Sequence, residues 1–146
     1  MNTRQEKWDR RFLGMCEHIS KWSKDPSTKV GAIITDGIKI VSLGFNGLPQ
    51  QTKDYPQILD IRKIKYKHII HAEVNAILTA QRSLEGFTIY TYPLTPCTRC
   101  ASVIAQSGIK RVVSVKCEDE RWNEHLEESK HFMQLCNIEV VEYDGL

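Results

Sequence analysis

The sequence has no apolar run approaching the roughly 18 residues that a membrane-spanning helix needs, and this excludes that class of protein. It has no low-complexity tract and no repeat of solenoid period, which excludes solenoids, propellers and disordered linkers. The first residues, Met1 to Lys7, are polar and lack the apolar core of a signal peptide, so the expected location is the cytoplasm. Excess charge is also scarce. A formal net charge of +2 gives no electrostatic footprint for nucleic acid by itself. The cysteines number five, and an odd count in a chain without a secretory signal argues against a disulfide framework. What remains is the composition of an ordinary globular protein, and 146 residues make one domain, 1–146.

Apolar periodicity predicts a helix from residue 4 to about 23, with Trp8, Phe12, Met15, Ile19 and Trp22 as its buried stripe. Pro26 ends any helix at or before Asp25. Lys29 to Thr35 and Ile38 to Leu43 read as strands, and Asp36-Gly37 between them signals a tight antiparallel hairpin. A turn-forming loop, Gly44 to Pro49, follows. Residues 50–68 are irregular and basic, and the expectation there is a loop with a short helical piece. Beyond it come a helix from Ala72 to about Arg82, a strand over 87–92 and a helix from Cys97 to Ser107, stopped by Gly108. Arg111 to Val115 is a strand. Trp122, Leu126, Ser129, Met133 and Cys136 mark a last amphipathic helix, and Ile138 to Val141 a final strand. Short helical crossovers imply parallel pairing in the second half. The expected architecture is α/β, three α/β/α layers around a five-stranded mixed sheet.

Cys16 and Cys136 fall on apolar helix faces and read as core residues, while Cys117 lies in a polar connection with no evident role. Only Cys97 and Cys100, behind Pro96, have ligand spacing. His71-Ala72-Glu73 supplies a nitrogen ligand and a carboxylate. One nitrogen and two sulfurs leave a zinc ion one position short of its usual four, as a hydrolytic site requires. Side chains two apart inside a helix do not face the same way, so His71 belongs at or before the helix start. Helix N-termini also favour thiolates. H-x-E followed by P-C-x-x-C is the signature of zinc deaminases. The expectation is one catalytic Zn2+ per chain, held by His71, Cys97 and Cys100, with Glu73 as the catalytic proton carrier between water, a ring nitrogen of the substrate and the departing ammonia. A redox Cys-x-x-Cys with an unrelated core histidine is the weaker reading. A zinc-stabilised interaction module needs a fourth protein ligand. His18, His68, His125 and His131 show no paired spacing, and His18, His125 and His131 fall on exposed helix faces.

Five blocks carry a closer resemblance: Ser23 to Ala32 (SKDPSTKVGA), Gly44 to Pro49 (GFNGLP), His71 to Ile77 (HAEVNAI), Pro96 to Ala101 (PCTRCA) and Gln106 to Val113 (QSGIKRVV). In this order they resemble the deoxycytidylate deaminase family, of the cytidine-deaminase-like superfamily. Either zinc motif alone fits any member of that superfamily; the first two blocks narrow it to the nucleotide enzyme. The resemblance implies hydrolysis of dCMP to dUMP for thymidylate synthesis, and leaves open whether dCTP is also accepted. It further implies a homohexamer, with dCTP as activator and dTTP as inhibitor at a separate site using Mg2+. Some viral relatives carry a second, structural zinc on cysteines; here those neighbourhoods hold Asp25 and Asp54-Tyr55, so one zinc is expected. The rivals are a tRNA adenosine deaminase, which needs a basic face this chain lacks, a riboflavin-pathway deaminase, and the interaction module.

Several residues have a physical reading beside the family one. The Asn46 amide both donates and accepts, which suits a sugar hydroxyl or base edge, or simply the turn. Ser23, Lys24 and Thr28 offer hydroxyls and a cation for a 5′-phosphate, or an ordinary solvated turn. Ala72 can present a backbone N–H to a bound base. Tyr92 can stack on that base or pack its strand. Arg121 and Trp122 follow the fourth strand within reach of a substrate, although Trp122 also continues an apolar stripe. The basic run from Lys53 to Lys67 either draws in phosphates or is solvated surface.

Overall fold

The computed structural model describes residues 3–52 and 56–146, without the side chain of Pro56. Lys53, Asp54 and Tyr55, used above in the basic run and in the expectation of a single zinc, lie outside the described residues. Helix α1 (Arg4–Ser20) begins at Thr3, whose hydroxyl accepts the Glu6 N–H at 3.1 Å as an N-cap. Strands β1 (Gly31–Asp36) and β2 (Lys39–Phe45) form the expected antiparallel hairpin, with Gly37 at φ 61° in its turn. There follow α2 (Pro56–Leu59), α3 (Arg62–His68), α4 (Ala72–Ala80), β3 (Thr88–Tyr92), α5 (Thr98–Ser107) and β4 (Arg111–Val115). A 3₁₀ turn (Glu120–Trp122), α6 (Asn123–Leu135) and β5 (Glu139–Tyr143) complete the chain. No helix among the described residues is long and apolar enough to cross a membrane.

The five strands form one sheet in the order β2-β1-β3-β4-β5. β1 is antiparallel to both neighbours, and β3, β4 and β5 are parallel, so the mixed sheet has the expected form. Alternate residues of each strand enter opposite layers. Ile34, Ile89 and Val112 pack with Ala72 and Ala76 of α4, Ala101 and Ile104 of α5 and Met133 of α6. Ile33, Tyr90, Val113 and Val115 pack with Phe12, Leu13, Cys16 and Ile19 of α1. These two clusters are the cores of a three-layer α/β/α domain.

Helix α1 departs from its expected stripe. Met15 and Trp22 are 41% and 49% exposed, and the buried face runs through Asp9, Phe12, Leu13, Cys16, Ile19 and Ser20. Two contacts set this rotation. A Cβ on Gly31 would lie 2.2 Å from the Cys16 carbonyl oxygen, so β1 and α1 approach as only glycine allows. Asp9, fully buried, is a polar hub: Arg111 donates to both its oxygens at 2.8 and 2.7 Å, and the hydroxyls of Tyr90 and Tyr143 donate at 2.8 and 2.7 Å. Burial opposes ionisation of Asp9, but the bonds from Arg111, Tyr143 and Tyr90 prevail and hold its carboxyl below the ordinary carboxylate range.

The α6 stripe lies as expected: Leu126, Ser129 and Met133 are buried, and Cys136 packs against the core. Cys16 is fully buried. Residues 50–68 hold more helix than expected, because α3 docks on the domain through a buried ion pair, described below. Strand β1 starts at Gly31, since Lys29 is engaged by the Ser23 carbonyl in the loop before it and Val30 by the Asn46 amide oxygen in the loop after β2, and α4 stops at Ala80, where Gln81 turns left-handed at φ 49°.

Candidate active site

Two helix starts meet over the carboxyl ends of the parallel strands. His71 and Cys97 are the N-cap residues of α4 and α5, both in extended backbone, with φ/ψ of −70/155° and −71/172°. Neither side chain caps its helix; each leaves the backbone instead. α4 reaches this position because β2 carries Gly44 beneath it: a Cβ there would stand 2.6 Å from the Ala72 carbonyl oxygen and from the Ala76 N–H nitrogen. Ser42 and Asn75 fasten the same contact, through bonds to the carbonyls of Ala76 and Phe45 at 2.7 and 2.9 Å.

The donors converge. His71 Nδ1 lies 3.1 Å from Cys100 Sγ and 3.5 Å from Cys97 Sγ. A tetrahedral zinc ion with bonds of about 2.1 Å to nitrogen and 2.3 Å to sulfur sets such ligands roughly 3.6 Å apart, so the trio fits the ion. Among the described residues no fourth His, Cys, Asp or Glu joins the group. Hydrogen bonding from Cys100, helped by His71, holds Cys97 down to about 3, while that same pairing and burial push Cys100 upward. His71 is raised, mainly by its bond to Cys97. Glu73, in the first turn of α4, is 4% exposed, and burial raises its carboxyl.

A cavity of about 410 Å³ opens on these groups, and Val30, Asn46, Ile69, Leu94 and Trp122 contribute to its largely apolar wall. A second cavity, of about 740 Å³, adjoins it, sharing Thr28, Tyr66, Leu94 and Trp122, and its wall mixes the cations Arg62, Lys116 and Arg121 with the carboxylates Glu17, Glu118, Asp119 and Asp144. The inner chamber suits a flat, apolar-faced ring; the outer one is polar and open.

The structure brings His71, Ala72, Glu73, Cys97, Asn46 and Thr28 to the inner cavity. Tyr92 and Arg121 line the outer one, where Arg121 is 78% exposed and pairs with Asp119 at 2.6 Å. Ser23 is buried; its hydroxyl donates to the Asn46 carbonyl at 2.8 Å and accepts the Asp25 N–H at 3.2 Å. Lys24 is exposed. The Asn46 amide oxygen accepts the Val30 N–H at 2.8 Å, and its amide nitrogen donates to the Thr28 carbonyl at 2.8 Å and to Asp25 at 3.3 Å.

Three cavity residues escape sequence reasoning. His125 is half-buried and faces the inner cavity, although its position reads as exposed; its spacing of three from Trp122, the N-cap of α6, is the signal that could have found it. Asp25 and Lys65 carry no such signal, because their significance lies in each other.

A family model for the cytidine and deoxycytidylate deaminase zinc-binding region matches residues 6–116. An uncharacterised deaminase of Aliivibrio fischeri, encoded in the luxG 3′ region, is 44% identical over 138 residues, 92% of each chain. The deoxycytidylate deaminase of Mus musculus is 36% identical over 115 residues, 73% of this chain and 63% of that one. Among solved structures, the dCMP deaminase of cyanophage S-TIM5 in complex with dCMP and dUMP superposes with a TM-score of 0.73 at 23% identity, covering 96% of this chain and 98% of that one. At that identity the likeness establishes the fold.

Proposed function

This chain belongs to the cytidine and deoxycytidylate deaminase family, and from that premise we propose that it hydrolyses dCMP to dUMP and ammonia. The observation that carries the reading is the three-donor site with a buried carboxylate beside it and an apolar chamber open to it. His71, Cys97 and Cys100 would hold a zinc ion, which would supply a water of lowered pKa as the nucleophile. Glu73, in the first turn of α4, is the group that moves protons: its carboxylate takes one from the water and delivers it to N3 of the cytosine ring as the oxygen bonds to C4, then takes the proton left on that oxygen and passes it to the amino group, which departs as ammonia as the C4–N bond breaks and C4=O forms. One water enters and one ammonia leaves, with no redox partner needed.

The cytosine enters the inner chamber. For the sugar and base, Asn46 offers the remaining lone pair of its amide oxygen, since both its amide hydrogens are engaged by Thr28 and Asp25, and Ala72 offers its backbone N–H; Trp122 and Leu94 line the apolar side. The 5′-phosphate extends toward Thr28 and the outer chamber, where Arg121 and Tyr92 stand; Lys24 lies in the same loop as Thr28. In this arrangement Ser23 acts by holding the Asn46 loop rather than by facing solvent.

The resemblance in the Ser23 and Gly44 blocks supports the finer points: a homohexamer in the cytoplasm, dCTP as activator and dTTP as inhibitor with Mg2+ at a separate site, and dUMP supply for thymidylate synthesis. The test is ammonia release from dCMP, dCTP, cytidine and tRNA by protein of measured zinc content, with and without dTTP, beside its mass in solution. Turnover of dCMP at the highest kcat/KM is expected. Preference for tRNA, or no turnover by zinc-loaded protein, sinks the assignment.

A further inference from the structure

Helix α3 forms one wall shared by both chambers, with Arg62 and Tyr66 toward the outer and Lys65, Tyr66 and Ile69 toward the inner. Its attachment is unusual. In this seven-residue helix the one buried residue is a lysine, Lys65, at 2% exposure. Ile64 and Tyr66 beside it are 37% and 50% exposed, so an apolar face does not hold the helix down. The Lys65 ammonium instead lies 3.0 Å from Asp25 Oδ1, with both side chains almost wholly buried. The same Asp25 oxygen accepts the Ser27 and Thr28 N–H groups at 2.8 and 3.3 Å, and the other accepts from Asn46.

We propose that Lys65 is a positioning residue for nucleotide binding: its ion pair with Asp25 fastens α3 to the Asp25–Asn46 loops, so that the wall of the cavity and the groups facing the nucleotide are set as one unit. The geometry favours this over a purely structural role. A buried pair is a poor source of net stability, since desolvation offsets most of the attraction, whereas its directional bonds fix relative position. The three linked side chains, Asp25, Asn46 and Lys65, all line the chamber that holds the metal donors. None of them is a donor to the metal, so loosening the pair leaves the chemistry intact and loosens the nucleotide's seat.

This inference rests on the deaminase reading, and the test separates the two. Wild-type and Lys65→Met proteins, the latter keeping the aliphatic stem without the charge, are assayed on dCMP with zinc content measured. The expected result is a KM raised at least about tenfold, kcat within about twofold of wild type, and zinc unchanged. A lowered unfolding temperature with KM unchanged overturns the proposal and leaves the pair merely structural. A wild-type protein that does not turn over dCMP overturns both readings. Where Lys65→Met does not accumulate folded, hydrogen exchange of the wild type with the product dUMP decides: slower exchange of the α3 amides supports the proposal, and unchanged exchange there with protection elsewhere in the cavity overturns it.

Discussion

Of the three carboxylates almost wholly buried among the described residues, Asp9, Asp25 and Glu73, the first and last lie in opposite layers of the domain, and their surroundings assign them different work. Among the described residues no cation forms an ion pair with Glu73, which stands beside the metal donors. Glu73→Ala is expected to keep its zinc and its unfolding temperature while losing turnover by about 10²-fold or more, the scale of a positioned proton carrier; loss of zinc on the same change, read by metal analysis, would assign the residue to the metal instead. Asp9 is answered on every side by Arg111, Tyr90 and Tyr143. Its carboxyl is held below the ordinary range, so its contribution is present above the unfolded-state pKa and is lost as pH falls through the lower folded value. Wild-type stability should therefore drop below about pH 4 partly through this group. Asp9→Asn leaves Arg111 only the exposed Glu139, 3.4 Å away, costs about 3 kcal/mol at neutral pH, and flattens the acid limb of the denaturation profile. An unchanged acid limb would show that Asp9 does not titrate in that window.

The elements were legible in the sequence where a local signal governs them. Asp36-Gly37 marks the hairpin, Pro96 and Gly108 bracket α5, and the His71 and Cys97 spacings place both donors at helix starts, where the structure has them. The signal fails where a partner is remote. The rotation of α1 follows from Asp9, whose ion pair is 102 residues away, and from the missing Cβ of Gly31, so hydrophobicity alone chose Met15 and Trp22 for burial. The α3 segment reads as solvated charge because Asp25 is 40 residues from Lys65. Glycine contacts carry the element-scale prediction. Gly44→Ala drives a methyl into the backbone of α4, which cannot yield as a side chain does, and displaces the helix bearing Glu73. The expected cost is about 1–3 kcal/mol with a fall in kcat. Gly14→Ala, in open space on α1, should instead gain about 0.5–1 kcal/mol. Thermal unfolding of the pair checks both signs; an equal, harmless outcome would show that α4 has room to shift.

At the scale of the molecule, the metal and the fold are separable. The layers are joined by two apolar clusters on either face of the sheet, and neither includes a metal donor. The donors themselves sit at the N-termini of helices anchored by those clusters, through Ala72 and Ala76 in α4 and Ala101 and Ile104 in α5. A chelator should therefore abolish turnover and lower the unfolding temperature, by a free energy of about 4 kcal/mol if zinc stands at a thousand times its dissociation constant. The far-ultraviolet circular dichroism should hardly change, and added zinc should restore activity. A metal that organises the fold behaves otherwise: its removal unfolds the chain. Collapse of the dichroism on chelation would thus revive the zinc-stabilised interaction module. Loss of turnover without loss of structure would leave the ion with its place in the chemistry alone.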